Sequence, residues 1–119
     1  MPIIYHITPG SEWEAARAAG TYAADSLATE GFIHCSTAEQ VIATANRLFK
    51  GRTGLVLLCI DTTRVDPEIR YENLEGGTSL FPHVYGALDA DSIIAVHNFS
   101  PRGDGTFEFA PAVQRNPGA

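Results

Sequence analysis

Three short segments of this 119-residue chain place a histidine two residues before a hydroxyl: His6 and Thr8 in YHIT, His34 and Ser36 in GFIHCST, His83 and Tyr85 in FPHVYG. Each segment reads as a strand, and in a strand residues two apart share a face. Histidine titrates near neutrality, and a hydroxyl beside it can orient a ligand or receive its proton. The chemistry such a set suits is acid–base work on a polar small molecule. His34 and His83 are the candidate acid and base. His6, Thr8, Ser36, Thr37, Tyr85 and Glu72 are the candidate substrate contacts. A lone half-buried strand histidine commonly serves only the structure, and His97, whose same-face neighbour is Phe99, is read that way. Three histidines in the same arrangement point instead to one cleft. Tyr5 with Ile7, and Ile33 with Cys35, occupy the opposite faces of their strands and are expected in the core.

Other polar residues have more ordinary readings beside the functional one. Glu72 and Glu75 precede Gly77 in YENLEGGTSLFPHVYG, a stretch that reads as a loop able to close over a cleft. Loop carboxylates are also commonly just solvated. Asp61 ends a strand and suits turn capping. Arg47, Arg52 and Arg70 are the cations to consider as phosphate partners, although each fits a surface position.

The elements that must position these groups follow from pattern. Residues 3–7 read as a strand, broken by TPGS. Ser11 and Glu14 have capping-box spacing for a helix through about Ala19, which Gly20 can end. After an irregular stretch, residues 31–35 form a second strand. Ser36 or Thr37 then caps a helix, with Glu39 and Gln40 as reciprocal partners and Val41, Ile42, Ala45, Leu48 and Phe49 at helical spacing. A GRTG turn leads into LVLLCID, a continuous apolar run expected as a central strand covered on both faces. Further strands are expected at 69–72, 82–86 and 92–99, and a hairpin through PRGDG returns as TFEF. The expectation is an α+β fold: a small, mostly antiparallel, split sheet with two main helices. Residues 1–110 form a single domain and residues 111–119 a loose C-terminal tail.

Composition narrows the function classes. With 45% hydrophobic and 18% charged residues the chain can bury a core. A net charge of −6, with eight Lys and Arg scattered, argues against binding long nucleic acid but leaves room for one nucleotide at a local basic spot. MPIIYHIT lacks the features of a signal peptide, and the longest apolar run, 54–60, is too short to cross a membrane. Cys35 and Cys59 fall in expected strands outside any CxxC motif. They read as buried free thiols of a cytoplasmic protein, with a disulfide as the alternative.

The order YHIT, GFIHCSTAEQV, LVLLCID, RYENLEGGTSLFPHVYGAL resembles the domain of unknown function 952 family over roughly residues 3–99. That family is grouped with the ADP-ribosyltransferase-like proteins, so the resemblance implies a split sheet around an NAD-binding cleft. YHIT followed by a Trp-containing helix is similar to the first-strand histidine motif of the RNA 2′-phosphotransferases and poly-ADP-ribose polymerases. GFIHCST resembles the histidine-and-serine strand of the former. The resemblance implies a dinucleotide or ribose role for His6 and Thr8, and a place in the pocket for His34 and Ser36. The late glutamate of the transferases has no aligned counterpart. His83 and Tyr85 stand in that region, and the phosphate-gripping arginines have no clear match.

Four functions stay open. The leading one is a histidine-rich pocket for NAD, ADP-ribose or a related nucleotide phosphate, in a transferase-like enzyme or a binder, with no certain cofactor. A second is a non-enzymatic ligand-binding or interaction module whose protein partner is not legible. The motifs His6-x-Thr8 and His34-x-Ser36 allow a third, a 2H-type cyclic phosphodiesterase. The fourth is a zinc site from the three histidines, against which Cys35 faces away from His34 and no ligand pair is closely spaced.

Overall fold

The computed structural model describes residues 2–73 and 77–108. Its elements in order are β1 (Ile3–Pro9), α1 (Gly10–Ala19), β2 (Thr21–Tyr22), α2 (Asp25–Glu30), β3 (Ile33–His34), α3 (Val41–Leu48), β4 (Leu55–Asp61), β5 (Ile69–Glu72), β6 (Phe81–Val84), β7 (Leu88–Asp89) and β8 (Ile93–Phe99). Short 3₁₀ turns cover Thr62–Arg64 and Ala90–Ser92. Every strand pairing is antiparallel, in three sheets ordered β1-β4-β8, β3-β6-β5 and β2-β7. The class is therefore α+β, as the pattern predicts.

β4 is the centre of the first sheet, and all seven of its residues are buried. Val56, Leu58 and Ile60 point into one apolar cluster with Ile4, Trp13, Ile33, Cys35 and Val84. Leu55 and Leu57 point into another with Ile7, Val41, Ala45, Phe99 and Phe107. A strand covered on both faces has no solvent face to reserve for polar residues, which explains the unbroken apolar run. β1, at the edge of the same sheet, is likewise closed in on both sides. Ile7 packs in the core as expected, but the face bearing His6 and Thr8 is also buried.

The sheet is split at one point. Ile33 and His34 pair with Val84 and His83, and Cys35 N–H donates to Pro82 O at 3.0 Å. Pro82 has no N–H to return, so that ladder stops there. The next residue, Ser36, instead exchanges two bonds of 2.8 Å with Tyr5 on the edge of β1. The chain thus passes from one sheet to the other within two residues of His34.

Several local expectations change. α1 starts at Gly10 behind Pro9, with no side-chain cap, so Ser11 lies inside the helix and the Ser11–Glu14 capping box is not used. Proline's fixed φ already sets the turn there. Gly20 does end α1, at φ +89°. The stretch read as irregular holds β2 and a third helix, α2, too short to show a helical period. Its end is set instead by Gly31 at φ +91°, whose N–H meets the Ser26 and Leu27 carbonyls. Gln40 Oε1 accepts from Thr37 N–H at 3.0 Å, so only the reaching-back half of the second capping box forms. The strand expected at 82–86 runs from Phe81 to Val84. The PRGDG turn closes through Arg102 N–H to Thr106 O at 2.7 Å, yet residues 106–108 form no strand. Phe107 turns inward instead and stacks on Phe99 at 4.7 Å. Glu75, Gly76, Phe109 and the tail at 111–119 lie outside the described residues. Cys35 and Cys59 are free and buried. Among the described residues no helix is long and apolar enough to cross a membrane.

Candidate functional site

His34 and His83 face each other as a cross-strand pair on one face of the β3-β6-β5 sheet. The pair flanks the bonded Cys35–Pro82 position, which makes it a non-hydrogen-bonded pair, the kind that brings side chains closest. Their ring centroids are 5.3 Å apart at 79°. Phe32, two residues before His34 on the same face, stacks on the His83 ring at 4.2 Å and meets the His34 ring edge-on at 4.8 Å. This packing holds both imidazoles in fixed planes.

Each imidazole has a carboxylate. His83 Nδ1 donates to Glu72 Oε1 at 2.9 Å, and Tyr85 Oη donates to the same oxygen at 2.6 Å. Those two hydrogen bonds, Tyr85's first, hold the Glu72 carboxyl below the usual range, and the carboxylate in turn pushes the Tyr85 phenol up. The His83 side chain is only 3% exposed. Every fully buried side-chain polar atom has a partner, yet His83 Nε2 has none among the described residues. His83 is one of the residues that line the cavity. A carboxylate on Nδ1 fixes the tautomer and leaves Nε2 as the acceptor. His34 Nε2 lies 3.1 Å from Glu30 Oε2 at the end of α2.

The cavity, about 440 Å³, sits at the split between the sheets. His6, Cys35, Ser36 and His83 supply its buried floor, while Glu30 and His34 stand on one side and Thr44 and Arg47 of α3 on the other. Tyr5, Phe49 and Phe81 add an aromatic lining. Tyr5, expected in the core, is half-buried and borders the cavity.

His6 differs from the other two. Its Nδ1 meets the His34 carbonyl at 2.5 Å and its Nε2 the Tyr22 hydroxyl at 2.7 Å. Burial pushes it down to about 4, so the ring is neutral at neutral pH. A carbonyl can only accept, so Nδ1 carries the hydrogen and Nε2 accepts from Tyr22 Oη. That hydroxyl has one hydrogen, and its 3.1 Å contact with Thr8 Oγ1 is then completed by the Thr8 hydroxyl. Burial pushes the Tyr22 phenol up to about 12, which keeps it a donor.

The structure therefore brings together His6, His34, Ser36 and His83 around one cavity. Glu72 and Tyr85 stand behind His83 and do not line it. Thr8 is buried beyond His6 against Tyr22, and Thr37 engages Gln40 at the start of α3. Of the arginines considered, Arg47 lines the cavity. Arg70 lies over the Tyr85 ring at 4.4 Å, and Arg52 over Phe49 at 5.3 Å. The two-motif phosphodiesterase reading needs His6 and His34 as the working pair. Both His6 nitrogens already have protein partners, and His34 faces His83 instead. Among the described residues no three His, Cys, Asp or Glu side chains group as metal ligands. His97 lies on β8, away from the cavity.

Sequence reading missed Glu30, Tyr22 and Phe32. Phe32 was detectable, since it precedes His34 by two and shares its face. Glu30 and Tyr22 sit in the stretch with no readable period.

The family model described as Protein of unknown function (DUF952) matches residues 7–96. The crystal structure of protein CC0527 from Caulobacter crescentus superposes with a TM-score of 0.80 at 32% identity, covering 89% of this chain and 93% of that one. Its solution NMR structure gives 0.75 at 31%, covering 91% and 93%. No curated protein matches the chain.

Proposed function

The chain belongs to the DUF952 family of proteins of unknown function, and on that premise we propose that its cavity binds a small nucleotide phosphate of the NAD or ADP-ribose class and performs acid–base chemistry on it. The observation that carries the reading is the Glu72–His83 pair on a histidine that lines the cavity, with the His34 ring opposite at 5.3 Å. A buried imidazole with a fixed tautomer is suited to accept a proton from a ligand hydroxyl or a water. His34, beside Glu30, is suited to supply one to a departing oxygen. Ser36 orients the ligand, and Arg47 provides the one cavity-lining guanidinium among the described residues. The cavity volume lies in the lower part of the range usual for small-molecule sites.

The split between two antiparallel sheets, with the cavity at the split, supports the ADP-ribosyltransferase-like reading of the fold. In this arrangement the late carboxylate of a transferase is replaced by a histidine that a glutamate holds from behind. The oxocarbenium-stabilising chemistry of those enzymes is therefore not the one favoured. Proton transfer at phosphate is. The reading places the protein in the cytoplasm, where buried thiols such as Cys35 and Cys59 stay reduced.

Isothermal titration with ADP-ribose, NAD and a 2′-phosphorylated nucleotide tests the binding. We expect heat with at least one, and loss of turnover but retained binding in His83→Ala. Absence of heat with all three, together with unmoved His34 and His83 ring resonances, overturns the proposal.

A further inference from the structure

A histidine that accepts a proton gains a positive charge, and His83 must gain it inside the protein. Its side chain is only 3% exposed, so water does little to solvate that charge, and burial alone disfavours it. His34 differs, because its side chain is 41% exposed and bulk water reaches it. The titratable and charged groups facing His83 are Glu72, Arg70 across the strand pair, Tyr85 through Glu72, and His34 with Glu30 beside it. Glu72 answers the charge at Nδ1, on the ring edge. The ring face is covered by Phe32, stacked at 4.2 Å and 24° and itself 6% exposed. Gly31 at φ +91° turns the chain into Phe32, and Ser26 Oγ donates to the Phe32 carbonyl at 2.7 Å.

We infer that Phe32 is a positioning residue for His83 whose ring face stabilises the imidazolium formed when a proton arrives from the ligand or a water. This rests on the acid–base reading above and adds a residue that serves it. The face of a benzene ring carries the negative part of its quadrupole, and a cation within about 6 Å of the centroid is attracted to it. In the transfer an O–H bond breaks, an N–H bond forms at Nε2, and the oxygen keeps the electron pair. Phe32 and Glu72 then hold the new charge from two directions, one over the ring and one at its edge. A leucine would fill much of the same space and supply none of this attraction. The stack favours the charged ring over the neutral one, so it lowers the energy of the proton-accepting step itself.

The test uses the full chain with Phe32 replaced by difluoro- or pentafluorophenylalanine. These keep the shape of the ring while weakening and then reversing the charge on its face. Thermal unfolding checks that each folds, and the difluoro form serves where five fluorines crowd the site. NMR follows the His83 ring resonances against pH without ligand, with His97 on β8 as the internal control. The pH at which His83 titrates should fall stepwise through the series, by about half a pH unit or more at five fluorines. His97 should not move, and neutral His83 should keep its hydrogen on Nδ1, because Glu72 is untouched. An unmoved His83 makes Phe32 a packing residue and overturns the inference. A rise means that the altered ring admits water to His83, and it overturns the inference too. Isothermal titration of the wild type with the three nucleotides reads the binding proposal separately. No heat there overturns the nucleotide reading, whereas the ligand-free titration decides the role of Phe32.

Discussion

The Nδ1 of His6 donates to the main-chain carbonyl of His34 at 2.5 Å, across the point where the two sheets part. Two residues beyond His34, Ser36 exchanges ordinary backbone bonds with Tyr5. Where the strands diverge, a backbone carbonyl would otherwise lose its ladder partner inside the protein, and the imidazole takes the place of that missing donor. The first histidine of the chain therefore holds the second in position. It lines the cavity with its ring, while its hydrogen bonds serve the fold.

Removing that ring should destabilise the protein more than removing its other partner. His6→Ala leaves the His34 carbonyl and the Tyr22 hydroxyl unpaired and opens a void, for a loss of about 2–4 kcal/mol. Tyr22→Phe deletes only the hydroxyl, for about 1–2 kcal/mol. Urea unfolding of the two variants and their double mutant gives the coupling between them. Additive losses refute a shared network.

Stability should also depend on pH through His6. Its folded value is lowered from 6.5 to about 4, because burial disfavours the charged ring. The unfolded chain binds a proton that the folded chain refuses, so this contribution is complete above pH 6.5 and is lost as pH falls towards 4. The full swing is about 3 kcal/mol at about 1.4 kcal/mol per unit. Ordinary carboxylates begin to titrate lower, so the first fall below pH 6.5 belongs to histidine. Imidazole resonances should show His6 neutral at pH 5.5, and a protonated His6 at that pH contradicts the assignment.

Legibility in the sequence followed the length of each regular pattern. β4 announced itself because seven buried residues in a row leave no other reading, and α3 because Val41 and Ala45 face the same cluster at helical spacing. α2 and β2 were not readable. Six and two residues carry no period, and their placement comes from Gly31 and from pairing with β7. The convergence of His6, His34 and His83 followed from the shared H-x-hydroxyl spacing, but their different duties did not. Whether a ring nitrogen meets a carbonyl, a glutamate or the cavity depends on where the sheet splits, and that is decided by Pro82 in another strand. Glu72 was singled out as a ligand contact and stands instead behind His83, because strand pairing sets it diagonal to that residue.

The Glu72–Tyr85 bond should be visible from both partners. Tyr85→Phe removes the largest influence on Glu72, so its carboxyl should titrate higher, nearer the ordinary range, in carbon-detected NMR. Glu72→Gln removes the acceptor that raises the Tyr85 phenol, which should then ionise nearer 10. Because the Glu72 value is depressed in the folded state, its stabilising share is present above the unfolded carboxylate value. That share disappears as pH falls through the folded one, and Tyr85→Phe should narrow this acid dependence. A Glu72 titration unchanged by Tyr85→Phe rules out the shared-oxygen arrangement.

Phe107 tests whether the stretch after the PRGDG turn supports the cavity wall. It is 1% exposed, stacks on Phe99 at 4.7 Å and 19°, and sends its N–H to Asn46 Oδ1 of α3 at 2.7 Å. α3 packs on the same cluster through Val41 and Ala45, and its adjoining residues Thr44, Arg47 and Leu48 line the cavity. Phe107→Ala should cost about 3–5 kcal/mol, the range for deleting a buried aromatic ring. Leu48→Ala, at 56% exposure on the cavity side, should stay within about 0.5 kcal/mol. The loss at Phe107 is local to one cluster, so hydrogen exchange should speed first in α3 while β3 and β6 keep their protection. Uniform acceleration across all strands would place Phe107 in the common core instead of beneath α3.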